Sequence, residues 1–134
     1  MCIRDRHYNS NNMQKLQEAY TAKDVVWLAV ASGNTAKGLT QADADKAGSK
    51  ATAVLLDPTG ETGKAYDAKT TPHMIIIDKD GHIAYDGAID SNSSSDAADI
   101  ESSENYVSAA LDAVLAGETV AKAKTKPYGC SVKY

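Results

Sequence analysis

The chain has 134 residues, 43% hydrophobic and 24% charged, and its 18 acidic and 14 basic side chains give a formal charge of −4. That length supports one domain with a real core. The acidic balance, without a basic stripe or basic amphipathic helix, argues against nucleic acid or an anionic membrane as partner. No apolar run approaches the roughly 20 residues that span a bilayer, and the first residues lack the apolar stretch of a secretory signal.

In chain order, the opening MCIRDRHYNS places Cys2 ahead of a helical pattern, where a thiol would feel the positive field of a helix N-terminus. Met13, Leu16, Gln17 and Tyr20 then fall at helical spacing, so residues 12–22 read as a short amphipathic helix capped by Asn11 or Asn12. Val25 to Val30 is a continuous apolar run that suits a parallel strand buried on both faces. Thr40 to Ala47 is a weak, exposed helical stretch. Ala53 to Leu56 is a second buried strand, stopped by the turn Asp57-Pro58-Thr59-Gly60, and Thr62 to Ala68 could form one or two helical turns.

His73 to Asp78 reads as a third strand, Lys79-Asp80-Gly81 as a hairpin turn, and His82 to Gly87 as an antiparallel strand with Ile83 and Tyr85 on one face. Asp90 to Asp99 is a Ser/Asp-rich loop. A last helix is expected over residues 103–116, with Tyr106, Val107, Ala110, Leu111, Val114 and Leu115 as its buried stripe and Gly117 as its stop. The tail, ending in KPYGCSVKY, has no periodicity. Alternating strands and helices imply a parallel sheet closed by an antiparallel hairpin, yet no strand precedes the first helix.

Few stretches could carry chemistry. Thr70-Thr71-Pro72-His73 stands directly before a strand, where proline fixes the backbone. Taken alone, those residues favour a plain strand-opening trans proline over a cis bond that would present the Thr71 backbone to a thiol or substrate. Cys2 and Cys130 lie at opposite ends, too far apart in sequence for a disulfide framework or zinc site, though they could pair if the fold joins the termini. Cys130 follows Pro127-Tyr128-Gly129, an accessible turn; it has no adjacent histidine, and Lys126 and Lys133 could lower its pKa only modestly.

Asp90, Asn92, Ser94, Asp96 and Glu101 space like a calcium loop, but Ser95 replaces the required glycine and a strand precedes the segment, so a solvated loop is preferred. His7, His73 and His82 show no ligand spacing and read as structural or solvated. No metal site and no cofactor are expected.

Several motifs in order carry a resemblance. They are Arg6-His7-Tyr8, Asn12-Met13-Gln14, Val26-Trp27-Leu28, Thr52 to Asp57, Lys69 to Met74, Gly87 to Asp90, and the terminal Lys126 to Tyr134. Together they cover residues 6–134, and the chain resembles the thioredoxin-like redoxins of the alkyl hydroperoxide reductase and thiol-specific antioxidant group. The resemblance implies an α/β thioredoxin-like fold, a central mixed sheet flanked by helices, here lacking its first strand, and it raises a cis Thr71–Pro72 bond to an expectation.

The resemblance also implies thiol-disulfide or peroxide reduction, a thiol/disulfide reductant protein or peroxide as partner, and a periplasmic or other extracytoplasmic setting. Thr71 and Pro72 would pack beside the reactive thiol and orient substrate, and Cys130 would be a second, resolving thiol. In that family the nucleophilic cysteine stands six residues before the histidine of His-Tyr, a position held here by Met1. Cys2 is one residue too close, on the family's proline, and Ile3-Arg4-Asp5 do not match. Residues 1–5 therefore read as a non-native leader on an N-terminally truncated chain, 6–117 as the redoxin domain, and 118–134 as a tail carrying Cys130.

A chain without that cysteine segment would lack the parent's activity, and one without a central strand would be poorly stable. The rival reading is a non-catalytic thioredoxin-like binding domain that grips a peptide on its Thr71-Pro72 face.

Overall fold

In a computed structural model of the chain, residues 7, 10–36, 40–46, 48–92, 100 and 102–134 are described. The elements are α1 (Asn12–Thr21), β1 (Leu28–Ser32), a 3-10 turn (Gly33–Ala36), α2 (Gln41–Lys46), β2 (Ala53–Asp57), α3 (Glu61–Ala65), β3 (Thr70–Thr71), β4 (Met74–Ile77), β5 (Ile83–Gly87), α4 (Tyr106–Leu115) and β6 (Cys130–Ser131). They divide into two compact units, one of Thr70–Cys130 and one of the described residues up to Lys69 together with Ser131–Tyr134.

In the Thr70–Cys130 unit, β4 and β5 form the expected antiparallel hairpin. The Asp78 side chain builds its turn by accepting the N–H groups of Asp80 at 3.0 Å and His82 at 2.9 Å. Those backbone donors, His82 foremost, hold the Asp78 carboxyl below its ordinary range. Helix α4 packs against both strands, and Val107, Ala110 and Leu111 bury with Tyr85, Ile76 and Ile89 to make the core.

The helix is shorter than its pattern implies. Asn105 caps it by accepting the Ser108 N–H at 2.9 Å, so residues 103–105 stay outside, and Leu115 is exposed rather than buried. The hairpin also departs from simple alternation. Tyr85 is fully buried while Ile83 is 54% exposed, because the register slips between Ile76↔Tyr85 and Ile77↔Ile83. An extra residue in one strand of such a pair bends the strand and breaks its alternation.

In the other unit, β1 and β2 pair in parallel from Leu28↔Ala53 to Ser32↔Asp57. The first strand starts later than its apolar run: Val25–Trp27 precede it, and the Trp27 carbonyl takes the Thr52 N–H at 2.7 Å. Burial on both faces is not found. Leu28, Val30 and Leu55 share one face of the pair and are 44–50% exposed, and among the described residues each strand has only the other as its hydrogen-bonded neighbour. The expected central mixed sheet is, among the described residues, three two-stranded pairs, β1–β2, β3–β6 and β4–β5.

Helix α1 buries Met13, Leu16, Gln17 and Tyr20 as its spacing predicts, and Gln17 Oε1 accepts the Lys50 N–H at 2.7 Å. Its N-cap position is Asn11 in a left-handed conformation, without a side-chain cap bond. The neighbouring Asn12 amide instead meets the buried His7 ring at Nδ1, 2.7 Å away.

The tail is ordered by bonds that periodicity could not announce. In this second unit the Val132 N–H donates to Lys69 O at 2.9 Å and the Asn34 N–H to Lys133 O at 2.5 Å. Tyr134 lies over Gly60 and Gly63, with its hydroxyl donating to Ala68 O. A Cβ at Gly60 would collide with that ring, and one at Gly63 with its hydroxyl and with the Ser32 side chain, so the glycines there make room for Tyr134.

Candidate functional site

The Thr71–Pro72 peptide bond is cis and Pro72 is buried. The two residues before it, Thr70–Thr71, form β3, whose partner strand begins at Cys130. Gly129 makes this approach possible: a Cβ there would stand 2.0 Å from the Thr71 carbonyl oxygen, and its φ of +142° is one that glycine adopts readily. Two residues proposed from the sequence, Thr71 and Cys130, are thus brought together by backbone pairing within one unit. The Cys130 residue is exposed. Cys2 lies outside the described residues.

His73, read from the sequence as structural or solvated, is held by a carboxylate. Its side chain is 7% exposed, and Nε2 lies 2.5 Å from Asp86 Oδ1. Lys124 Nζ stands 3.5 Å from the second carboxylate oxygen, Oδ2. The His73 Nδ1 atom is buried without a hydrogen-bond partner, as is the Thr70 hydroxyl. The signal for this pair was present but long-range. In the hairpin register Ile75 faces Asp86, and His73, two residues earlier, falls on the same side as Ile75.

Behind this cluster, a closed hydrogen-bond ring ties the tail to β5. Tyr85 OH donates to Ala88 O at 2.5 Å. Its oxygen is left to accept from Thr125 Oγ1 at 2.7 Å, and Thr125 Oγ1 accepts the Ala88 N–H at 2.9 Å. Burial pushes the Tyr85 hydroxyl up to about 12, so it is a fixed neutral donor across the physiological range.

A cavity of about 480 Å³ in the same unit is lined by residues including Ala88, Asp90, Tyr106, Lys126 and Tyr128. Asp90, the first position of the calcium-like spacing, turns its carboxylate to the tail, where it accepts the Tyr128 hydroxyl and the Asn92 N–H at 3.1 Å. Residues 93–99 and Glu101, the rest of that spacing apart from Ile100, lie outside the described residues. Among the described residues no group of three histidine, cysteine or acidic side chains is placed to hold a metal ion. No helix among them is long and apolar enough to cross a membrane.

A family model described as Redoxin matches residues 4–103. The chain belongs to the redoxin family. This redoxin is also similar over its whole length to an uncharacterized conserved protein of Geobacillus kaustophilus, with 27% identity, a TM-score of 0.78 and 72% of that chain covered. A hypothetical protein of Sinorhizobium meliloti 1021 matches all of this chain and 74% of its own at 22% identity and a TM-score of 0.77, a likeness of fold. No curated protein matches the sequence. The family places the chain among thioredoxin-like redox proteins with an α/β fold. The match ends at residue 103, so β6 and Cys130 lie beyond it.

Proposed function

We propose that this redoxin is a thiol-dependent oxidoreductase of the thiol-disulfide or peroxide reductase type, with Cys130 as the thiol that takes up the disulfide. The observation that carries the reading is the exposed Cys130 on the strand paired with Thr70–Thr71, immediately before the cis Thr71–Pro72 bond. In that role the Cys130 thiolate attacks a sulfenic acid formed when a hydroperoxide oxidises another thiol. A new S–S bond forms, the S–O bond breaks, and the departing hydroxide takes a proton from solvent and leaves as water. With a disulfide as substrate the S–S bond breaks instead, and the leaving thiolate takes the proton.

Thr71 offers its backbone to the substrate beside this thiol, and buried Pro72 holds that surface in place. The extracytoplasmic setting belongs to the same proposal and rests on the resemblance alone.

The test is turnover of cumene hydroperoxide and of insulin disulfides with dithiothreitol as reductant. The expected result is measurable turnover of at least one substrate that Cys130→Ser reduces at least about tenfold, the scale on which reactive thiols matter. No turnover of either substrate, or turnover indifferent to Cys130→Ser, would overturn the reading in favour of a peptide-binding domain.

A further inference from the structure

Asp86 meets both halves of the candidate site. Its backbone holds the tail: the Asp86 N–H donates to Ala123 O at 2.9 Å, and the Asp86 carbonyl accepts the Thr125 N–H at 3.1 Å. This bridge runs parallel at Asp86↔Lys124 and lays the tail along β5, six residues before Cys130 resumes pairing at β3. The Asp86 side chain holds the other half, through His73 Nε2 at 2.5 Å, and His73 directly follows Pro72. Gly129, packed on the Thr71 carbonyl, closes the loop. One residue therefore sets the position of the Thr71–Pro72 turn and of the segment that brings Cys130 to it.

The chemistry of the pair suits a fixed reference better than a surface contact does. His73 is 7% and Asp86 22% exposed, whereas the Lys124 side chain that also approaches Asp86 is 81% exposed. Exposed ion pairs are screened and worth little, while removing one partner of a buried pair leaves a costly orphan. His73 holds Asp86 through Nε2 alone, since Nδ1 has no partner. A glutamine side chain places an amide nitrogen near the Nε2 position, so it can keep that single bond.

From this we infer that Asp86 and His73 are positioning residues that set Cys130 against the Thr71–Pro72 turn, so that a peptide disulfide lying on the turn meets the thiol. The inference rests on Cys130 being the reacting thiol. The reaction read is one exchange: the Cys130 thiolate attacks oxidised glutathione, the glutathione S–S bond breaks, a Cys130–glutathione disulfide forms, and glutathione leaves as thiolate.

The experiment uses the full chain with Cys2→Ser, so that Cys130 is the thiol observed, and compares two probes. Oxidised glutathione is a peptide disulfide that can lie on the turn; 5,5′-dithiobis(2-nitrobenzoic acid) is an aromatic disulfide that reads the thiol's own reactivity. His73→Leu is expected to lower the rate with oxidised glutathione about tenfold and the aromatic rate less than about twofold, while His73→Gln keeps both within about twofold.

If His73→Leu leaves Asp86 so exposed to loss of its partner that the chain unfolds, the double variant His73→Leu/Asp86→Leu removes both partners and the same selective loss is expected. An unchanged glutathione rate in the Leu variant overturns the inference. So does an equal fall with both probes, or a Gln variant as slow as Leu. Cys130→Ser abolishing turnover while His73→Leu keeps the glutathione rate would leave the proposed function standing and this inference fallen.

Discussion

The Thr70–Cys130 unit and the unit built on β1 and β2 spend similar apolar sequence differently. In the first, helix α4 lies on the β4–β5 hairpin, and Tyr85, Ile89, Val107 and Ala110 are at most 1% exposed. In the second, the parallel pair keeps Leu28, Val30 and Leu55 on one face at 44–50% exposure. An apolar run thus shows where a strand forms, but what lies over the strand decides whether it is buried. The difference also separates roles. The covered unit carries the Thr71–Pro72 turn, the His73–Asp86 pair and Cys130, whose geometry needs rigid support.

The sharpest break of this comparison is a matched truncation. Leu111→Ala, at a position 5% exposed on α4, is expected to cost about 2–4 kcal/mol of unfolding free energy, the loss of buried methylenes plus a cavity. Leu55→Ala, 44% exposed on β2, should cost less than about 1 kcal/mol. Urea denaturation of both variants checks the pair; equal costs would mean that the β1–β2 face is covered in solution.

A smaller effect refines the account of the second unit, where a polar network supports what the apolar face does not. Asp57 accepts the Gly63 N–H at 2.9 Å and the Ser32 hydroxyl at 2.8 Å. These bonds, that of Gly63 first, hold its carboxyl below the ordinary aspartate value. A depressed folded pKa adds stability that is present above the unfolded value and lost as pH falls through the folded one. The melting temperature of wild type should therefore exceed that of Asp57→Asn near pH 6, with the gap closing below about pH 4. A gap that stays constant down to pH 2.5 would remove the carboxylate from this role.

What the sequence made legible was local. The i, i+3, i+4, i+7 spacing of Met13, Leu16, Gln17 and Tyr20 named the buried side of α1, and Lys79-Asp80-Gly81 named the hairpin turn, because a few neighbouring residues determine each feature. The site was legible only in part. Pro72 and Cys130 could be singled out by residue type, but β6 exists only because the tail returns to β3, and no periodicity encodes that return. His73 and Asp86 are 13 residues apart and meet through hairpin register. The Lys124 end of the bridge lies still farther along the chain. Ile83 shows the same limit, since a one-residue slip in register cancelled an alternation that the sequence displayed plainly.

The central claim is that Cys130 forms a disulfide beside the Thr71–Pro72 turn, and peptide mapping by mass spectrometry tests it most directly. The full chain is treated with hydrogen peroxide in the presence of glutathione, alkylated and digested. The account predicts Cys130 in a disulfide, with glutathione or with Cys2, restored to thiol by dithiothreitol. Recovery of Cys130 as an alkylated thiol throughout the treatment would contradict it.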